Sequence, residues 1–372
     1  MGYRYVVFGA GMQGIATAYD LVRHCKADEV VLVEPNPAQC AYAREQFRRL
    51  LGTGAPLWVL PAVDDIVLRS ADVVLSCAPH TANVEITRRA IQAGVAYCDL
   101  GGNTDVVEAQ AKLCQVMNAR SPVVPDCGVS PGLSNIFATH LALDGYDEIY
   151  VHCGGNPLWC PSEKENPLFY KLVFSPEGLA SEYAGTAMTI HKGVLVPVQA
   201  LSNIHGFNGE FESAPTANNS PRTAQHLLLC GVQEYAYRTL RYHGHFKKIW
   251  DLKLHMNESR SSLRLRAMPE LQFDRQKDED RLTLSVEGMR KTYGVGWQAK
   301  RHMTYQYDVP YNKNLQLTAM ELMTSWGITT VAYYMASNKG RPSGFSMPEQ
   351  FAKDAEWFFF EINMRLKHTM SL

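Results

Sequence analysis

The chain has 372 residues, with 36 Lys plus Arg against 37 Asp plus Glu and 46% hydrophobic residues. That length exceeds one ordinary core, so two domains are expected. The charge balance speaks against nucleic acid or a membrane surface as partner, and no apolar run approaches the ~18–20 residues that span a bilayer. Nine cysteines form no CxxC pair, and several (Cys77, Cys98, Cys230) sit in apolar runs. They read as reduced thiols of a cytoplasmic protein. Cys153 and Cys160 flank a loop and His243 pairs with His245, yet no third ligand falls at zinc spacing, so no metal is expected. The chain opens directly on a strand, and no signal peptide is expected.

Residues 5–8 form an apolar run that reads as a buried parallel strand. It leads into Gly9-Ala10-Gly11-Met12-Gln13-Gly14 and then a helical pattern carrying Ile15, Ala18, Leu21 and Val22. In such a turn Gly9 permits the bend, Gly11 admits a pyrophosphate, and Gly14 lets helix and strand pack closely. The pyrophosphate would lie on the helix N-terminus. Twenty residues on, a second apolar run ends in Glu34, suited to both hydroxyls of an adenosine ribose. The carboxylate would repel a 2′-phosphate and no arginine follows before Arg44, which favours NAD over NADP.

Pro37 opens a helix running to Leu51, and residues 57–60 are the third strand. Asp64 either touches an adenine or caps a helix. Residues 72–79 are the fourth strand, whose end (Cys77, Ala78, Pro79) should line the nicotinamide side, with a helix from Asn83 to follow. Residues 95–100 make the fifth strand, with Asp99 and Leu100 at its end. A helix over 104–119 and a short strand over 122–125 lead to Asp126. The alternation predicts a doubly wound Rossmann sheet over residues 1–126.

A glycine- and proline-punctuated crossover then leads to strand-like segments at 149–153, 194–198 and 282–286. Pro197 makes the middle one an edge strand. The charged run 274–281 reads as a solvated hairpin tip. Residues 127–345 are expected to form an α+β mixed-sheet second domain serving substrate and dimerisation. A helix over 318–337 precedes an aromatic-rich C-terminal one in 346–372, expected to pack back on the first domain or on a second subunit.

Five segments in order along most of the chain carry a family likeness: VVFGAGMQG, PDCGVSPGLSN, the CGGNP…NPLFYK…FSPEGL…EY block, TLRYHGH and SGFSMPE. They resemble the saccharopine dehydrogenase-like proteins, and among them the lysine 6-dehydrogenase branch. Residues 213–219 depart from the aromatic-acidic-glycine run expected there. The resemblance implies NAD-dependent oxidative deamination of the ε-amine of L-lysine or a close diamino acid. The products would be NADH, ammonia and allysine, which closes to a cyclic piperideine carboxylate.

Such chemistry needs a base to neutralise the amine, and Asp99 and Asp126 stand at strand ends. It also needs a cation for the α-carboxylate, where Arg241 offers a fork. Lys171 could bind the same carboxylate or relay protons. Tyr242, His245, Gly154 and Gly155 fall in the matching substrate segments. Each has a plainer reading: an ordinary salt bridge for Arg241, a loop cap for Asp126, a surface amine for Lys171, packing or hydrogen bonding for His243 and His245, and core packing for Cys153. Two rival functions stay open, a saccharopine- or carboxynorspermidine-type reductive C–N coupling dehydrogenase and a non-catalytic dinucleotide-binding regulator. A homodimer or higher homo-oligomer is expected, with a small-molecule amino acid as partner.

Overall fold

The structure, a computed structural model, describes residues 2–217, 221–294, 297–337 and 342–371; Asn218 and Asn219 of the departing 213–219 segment lie outside the described residues. Two compact units make up the chain: residues 1–133 with 321–372, and residues 134–320.

The first unit alternates β1 (Tyr3–Phe8), α1 (Met12–His24), β2 (Ala27–Val33), α2 (Pro37–Leu51), β3 (Leu57–Leu60), α3 (Asp65–Ser70), β4 (Val73–Ser76), α4 (Asn83–Ala93), β5 (Ala96–Asp99), α5 (Thr104–Val116) and β6 (Val123–Val124). The strands pair in parallel in the order β3-β2-β1-β4-β5-β6. This is the doubly wound order, with its switch point between β1 and β4, where ligands of such sheets bind. Tyr5, Val6 and Val7 of β1 are buried, as a central strand covered on both faces requires. Local sequence starts the helices. Asn36 accepts from the Ala38 and Gln39 amides ahead of Pro37 at the head of α2, and Asn103 accepts from the Val106 amide at the head of α5.

The second unit holds most of α6 (Leu133–Leu143), then β7 (Glu148–Pro157), α7 (Pro176–Tyr183), β8 (Thr186–His191), β9 (Val194–Gln199), β10 (His205–Phe207), β11 (Phe211–Pro215), α8 (Pro221–Leu229), β12 (Glu234–Tyr242), α9 (His245–Asp251), α10 (Glu258–Arg266), β13 (Asp280–Gly294) and β14 (Trp297–Pro310). Its mixed sheet runs β10-β11-β12-β7-β13-β14, with β8 and β9 attached through β12. The β12–β7 pair is parallel and the other pairs are antiparallel. Among the described residues, strand β9, which carries Pro197, pairs with β8 alone.

The charged run 274–281 is not a hairpin tip. Asp278 accepts from the Asp274 amide to close a turn, and the strand begins at Asp280. Asp280 is fully buried because its carboxylate accepts from the Ala319 and Met320 amides at the start of α11 (Ala319–Ala336). The free N–H groups and positive dipole end of that helix compensate the buried charge. Among the described residues, no helix is long and apolar enough to cross a membrane.

Within the first unit, α12 (Ala355–Ser371) buries Ala355, Phe358, Ile362, Arg365 and Thr369. Arg365 is fully buried. Its Nε donates to Asp20 Oδ2 at 2.9 Å and its Nη1 to Glu361 Oε2 at 2.8 Å, while Thr329 Oγ1 also donates to Asp20 Oδ2. Removing one partner leaves the other charge stranded in a dry site. Arg365→Ala should therefore lower unfolding free energy by about 3–5 kcal/mol, measured by urea titration against wild type.

Candidate functional site

The turn after β1 has the features a dinucleotide needs. Gly9 sits at φ +93°, and a Cβ there would lie 2.8 Å from the Ala78 amide nitrogen. A Cβ on Gly14 would come within 1.8 Å of the Gly9 carbonyl oxygen. These two glycines serve the close approach of helix and strands. Gly11 differs: a Cβ there would meet nothing within 4 Å, so the backbone faces open space. Helix α1 has no side-chain cap and no acidic residue in its first turn, and Met12 at its head is exposed. The Gln13 Oε1 atom is buried without a hydrogen-bond partner. An uncompensated helix N-terminus beside an open glycine suits a pyrophosphate, whereas the Gln13 oxygen, which can only accept, is left for a donor.

Glu34 ends β2 as expected. Its Oε2 accepts from the Ala10 amide at 3.0 Å and its Oε1 from the Asn36 amide at 2.9 Å, while Gln39 Nε2 donates to the Ala10 carbonyl. The carboxylate is thereby tied to the glycine turn. Asp64 takes the capping alternative, its side chain accepting from the Val67 amide at the start of α3.

Parallel register aligns Phe8, Ser76 and Asp99 across β1, β4 and β5. The chain beyond this row carries Gly9, Cys77, Ala78 and Pro79, and Leu100. Cys77 Sγ lies 3.4 Å from Thr17 Oγ1, and burial pushes its thiol up to about 12, so it stays protonated. Asn83 is buried, and its Oδ1 accepts from Ser76 Oγ at 2.8 Å.

The two strand-end carboxylates have different settings. Asp99 is completely buried. Its Oδ1 accepts from the Gly101 and Asp126 amides, and its Oδ2 from Tyr97 Oη and Gln110 Nε2. Burial raises its pKa and those four donors pull it back. Four donors occupy the lone-pair sites of one carboxylate, which leaves none to take a proton from substrate. Asp99 is a structural anchor for the neighbouring loops. Asp126 is the residue it anchors. Asp126 has φ +60°, a conformation few side chains adopt, and its Oδ1 is packed against Gly101, where a Cβ would come within 1.8 Å.

In the second unit, Arg241 forms the centre of a buried polar cluster. Its Nε donates to Tyr183 Oη at 2.9 Å, Nη1 to the Leu240 carbonyl and Nη2 to Glu182 Oε2 at 3.3 Å. The guanidinium also lies 4.7 Å from the Tyr170 ring centroid. Of five guanidinium N–H groups, one on each terminal nitrogen is left over. The open carboxylate fork expected from sequence is thus an internal ion pair. Burial raises the Glu182 carboxyl to about 7 against the pull of Arg241.

His245 completes the chain. Its Nδ1 is 2.7 Å from the Leu168 carbonyl, which can only accept, so Nδ1 carries the proton and Nε2 accepts from Tyr183 Oη at 2.8 Å. Burial drops its pKa to about 3, which makes it a neutral link and not a proton shuttle. Tyr242 is a tie between strands, donating to the Pro157 carbonyl. Gly154 and Gly155 answer to packing: a Cβ would meet the Leu240 carbonyl oxygen at 2.4 Å and the Met320 Cε at 2.6 Å respectively. Lys171 stands apart, its Nζ 3.1 Å from Asp278 Oδ2 and donating to the Gln272 carbonyl. Cys153 is buried and its thiol raised to about 12 by burial.

Two family profiles match, together covering most of the chain: the saccharopine dehydrogenase NADP binding domain over residues 5–124 and the saccharopine dehydrogenase C-terminal domain over 128–365. The chain belongs to the saccharopine dehydrogenase family. Its family is one of dinucleotide-dependent oxidoreductases, so the Gly9–Gly14 turn belongs to a nicotinamide-dinucleotide domain. The mitochondrial alpha-aminoadipic semialdehyde synthase of Mus musculus is 26% identical over 197 residues, 49% of this chain and 21% of that protein. The saccharopine dehydrogenase [NADP(+), L-glutamate-forming] of Schizosaccharomyces pombe is 26% identical over 134 residues, 34% of this chain and 29% of that protein. The aligned stretches span less than a third of these relatives' lengths. Apo saccharopine dehydrogenase (L-Glu forming) from Saccharomyces cerevisiae shares the fold with a TM-score of 0.70, at 14% identity, over 99% of this chain and 97% of that one.

The matching segments include Glu182 and Tyr183 without giving either a role, and Tyr97 and Gln110 lie in no motif. Tyr97 is two positions before Asp99 on one strand, a spacing that places both on one face and could have signalled the contact. Gln110, Glu182 and Tyr183 reach their partners from other elements, and spacing carries no hint of that. Glu182 makes a pH prediction. Its folded pKa lies above the ordinary carboxyl value, so the folded state holds a proton that the unfolded chain releases first. Stability should fall as pH rises from about 4.5 to about 7, and Glu182→Gln should flatten that slope in urea titrations at stepped pH.

Proposed function

We propose that the protein is an NAD-dependent oxidoreductase acting on the CH–NH2 carbon of a lysine-related amino acid. The specific reaction is oxidative deamination of the ε-amine of L-lysine to allysine. The observation that carries the reading is Asp126, a carboxylate held at a sheet end in a left-handed conformation by Asp99, in a unit whose glycine turn suits a dinucleotide. When bound, the dinucleotide supplies a hydride acceptor. The substrate nitrogen must first lose a proton, because an ammonium has no lone pair with which to form the imine. Asp126 takes that proton and passes it to solvent; as a carboxylate again it can accept a proton from the water that adds to the imine carbon and return it to the departing nitrogen, which frees ammonia.

Arg241, buried and already paired with Glu182, Tyr183 and the Leu240 carbonyl, is not assigned to the substrate. Lys171, paired with Asp278, has no part in this reading. Glu34 supports NAD over NADP, since a carboxylate beside the glycine turn repels a 2′-phosphate, although the matched profile is described as NADP-binding. The protein is expected to work as a homo-oligomer in the cytoplasm.

The test offers NAD with a panel of diamines and diamino acids and follows NADH absorbance, then runs the reverse assay with aldehydes. NADH formation from lysine supports the reading. Consumption of NADPH or NADH only when an amino acid and an aldehyde or keto acid are coupled would replace it with reductive C–N coupling. Asp126→Asn should lower kcat about 10²–10⁴-fold while dinucleotide affinity, read by fluorescence titration, stays within about twofold. Turnover should rise from about pH 7 toward about 10, below the free amine's pKa. NAD should bind at least about tenfold tighter than NADP, and Glu34→Gln should narrow that gap.

A further inference from the structure

Helix α12 has the wrong outer face for a helix that ends its duties on the first unit. Its inner side is accounted for by Phe358, Ile362, Arg365 and Thr369. The opposite side carries Phe360, 58% exposed, Met364, 47%, and Met370, 64%, flanked by Phe359. Outer faces of surface helices are ordinarily polar, and apolar side chains gathered on one mark a contact surface. Glu356 and Lys367, both exposed, stand on the same side toward opposite ends of the helix. Among the described residues, neither has an ion-pair partner within the chain.

We propose that this face pairs with the same face of a second copy of the chain, antiparallel, about a two-fold axis between residues 361 and 362. That placement sets Glu356 opposite the second copy's Lys367 at both ends. In the middle it sets Phe359 opposite the second copy's Met364 and Phe360 opposite the second copy's Asn363. Charge complementarity picks the occupant: one self-complementary stripe, acidic at one end and basic at the other, matches itself only when reversed. Antiparallel packing also sets opposed helix dipoles side by side. The i, i+4 spacing of Phe360 and Met364 supplies a ridge for a helix-to-helix groove. The surface stands independently of the proposed reaction.

The test uses the full chain and light scattering with sedimentation at several concentrations. Wild type should be a dimer or an even-numbered assembly. Glu356→Lys and Lys367→Glu should each raise the dissociation constant at least about tenfold, because each sets like charges together at both ends of the contact. The double variant carrying both exchanges should restore wild-type association, which only the reversed pairing allows. Circular dichroism and retained dinucleotide binding confirm folding, and Phe360→Gln, which keeps the helix, should weaken the dimer by itself. A monomer at the highest soluble concentration, or a dimer indifferent to all four variants, overturns the proposal. So does flotation of a monomeric wild type with anionic phospholipid vesicles, which would assign the face to a membrane surface.

Discussion

The in-register parallel pairing of β1, β4 and β5 is the constraint on which the first unit's chemistry depends. It sets Phe8, Ser76 and Asp99 in one row, so the three loops leaving those strands start from a common edge. A slip of one residue in any of the strands would turn its side chains to the opposite face and remove its loop from the group. Gly9 then closes on the Cys77–Ala78 backbone, and Gly14 brings α1 down upon Gly9. The helix N-terminus is left facing open space at Gly11, where a Cβ would meet nothing within 4 Å.

Asp99 shows how a buried charge can be given to architecture. Its carboxylate gathers a tyrosine, a glutamine and two backbone amides into one cage. The carbonyl of Asp99 also accepts from the Cys127 amide, so the loop is held on both sides of Asp126. The strained conformation of Asp126 is supported by those bonds and by the missing side chain of Gly101. The second unit repeats the theme with cationic and anionic partners, where Arg241, Tyr183, His245 and the Leu168 carbonyl form a directed chain of donors and acceptors. Each link there has only one proton arrangement that satisfies it, which argues for a rigid cluster.

Much of the first unit was legible because its signals are local. Valine-rich runs, the glycine spacing, Glu34 at the end of the second strand, and the Asn36-Pro37 start of α2 each act within a few residues of themselves. The order of strands followed from alternation with helices, since crossovers of that length leave few arrangements. The second unit was legible only as strand-rich, because β7 lies between β12 and β13, strands that follow it by about eighty and a hundred and thirty residues. The charged run 274–281 shows the limit clearly. Composition reads it as solvated, yet Asp280 is buried because a helix beginning some forty residues later presents its amides there.

The amino-acid sequence by itself determined the doubly wound unit, the dinucleotide turn, the acid at the end of β2 and the two carboxylates at strand ends, since propensity, periodicity and turn chemistry act over short spans. Tertiary structure alone decided that Asp99 is closed in by four donors, that Arg241 is already paired, that Lys171 pairs with Asp278 and that Arg365 locks α12 onto the first unit. The physical reason is the same in each case. A charge's role depends on how many donors surround it and how much water reaches it, and both are set by residues distant in the chain.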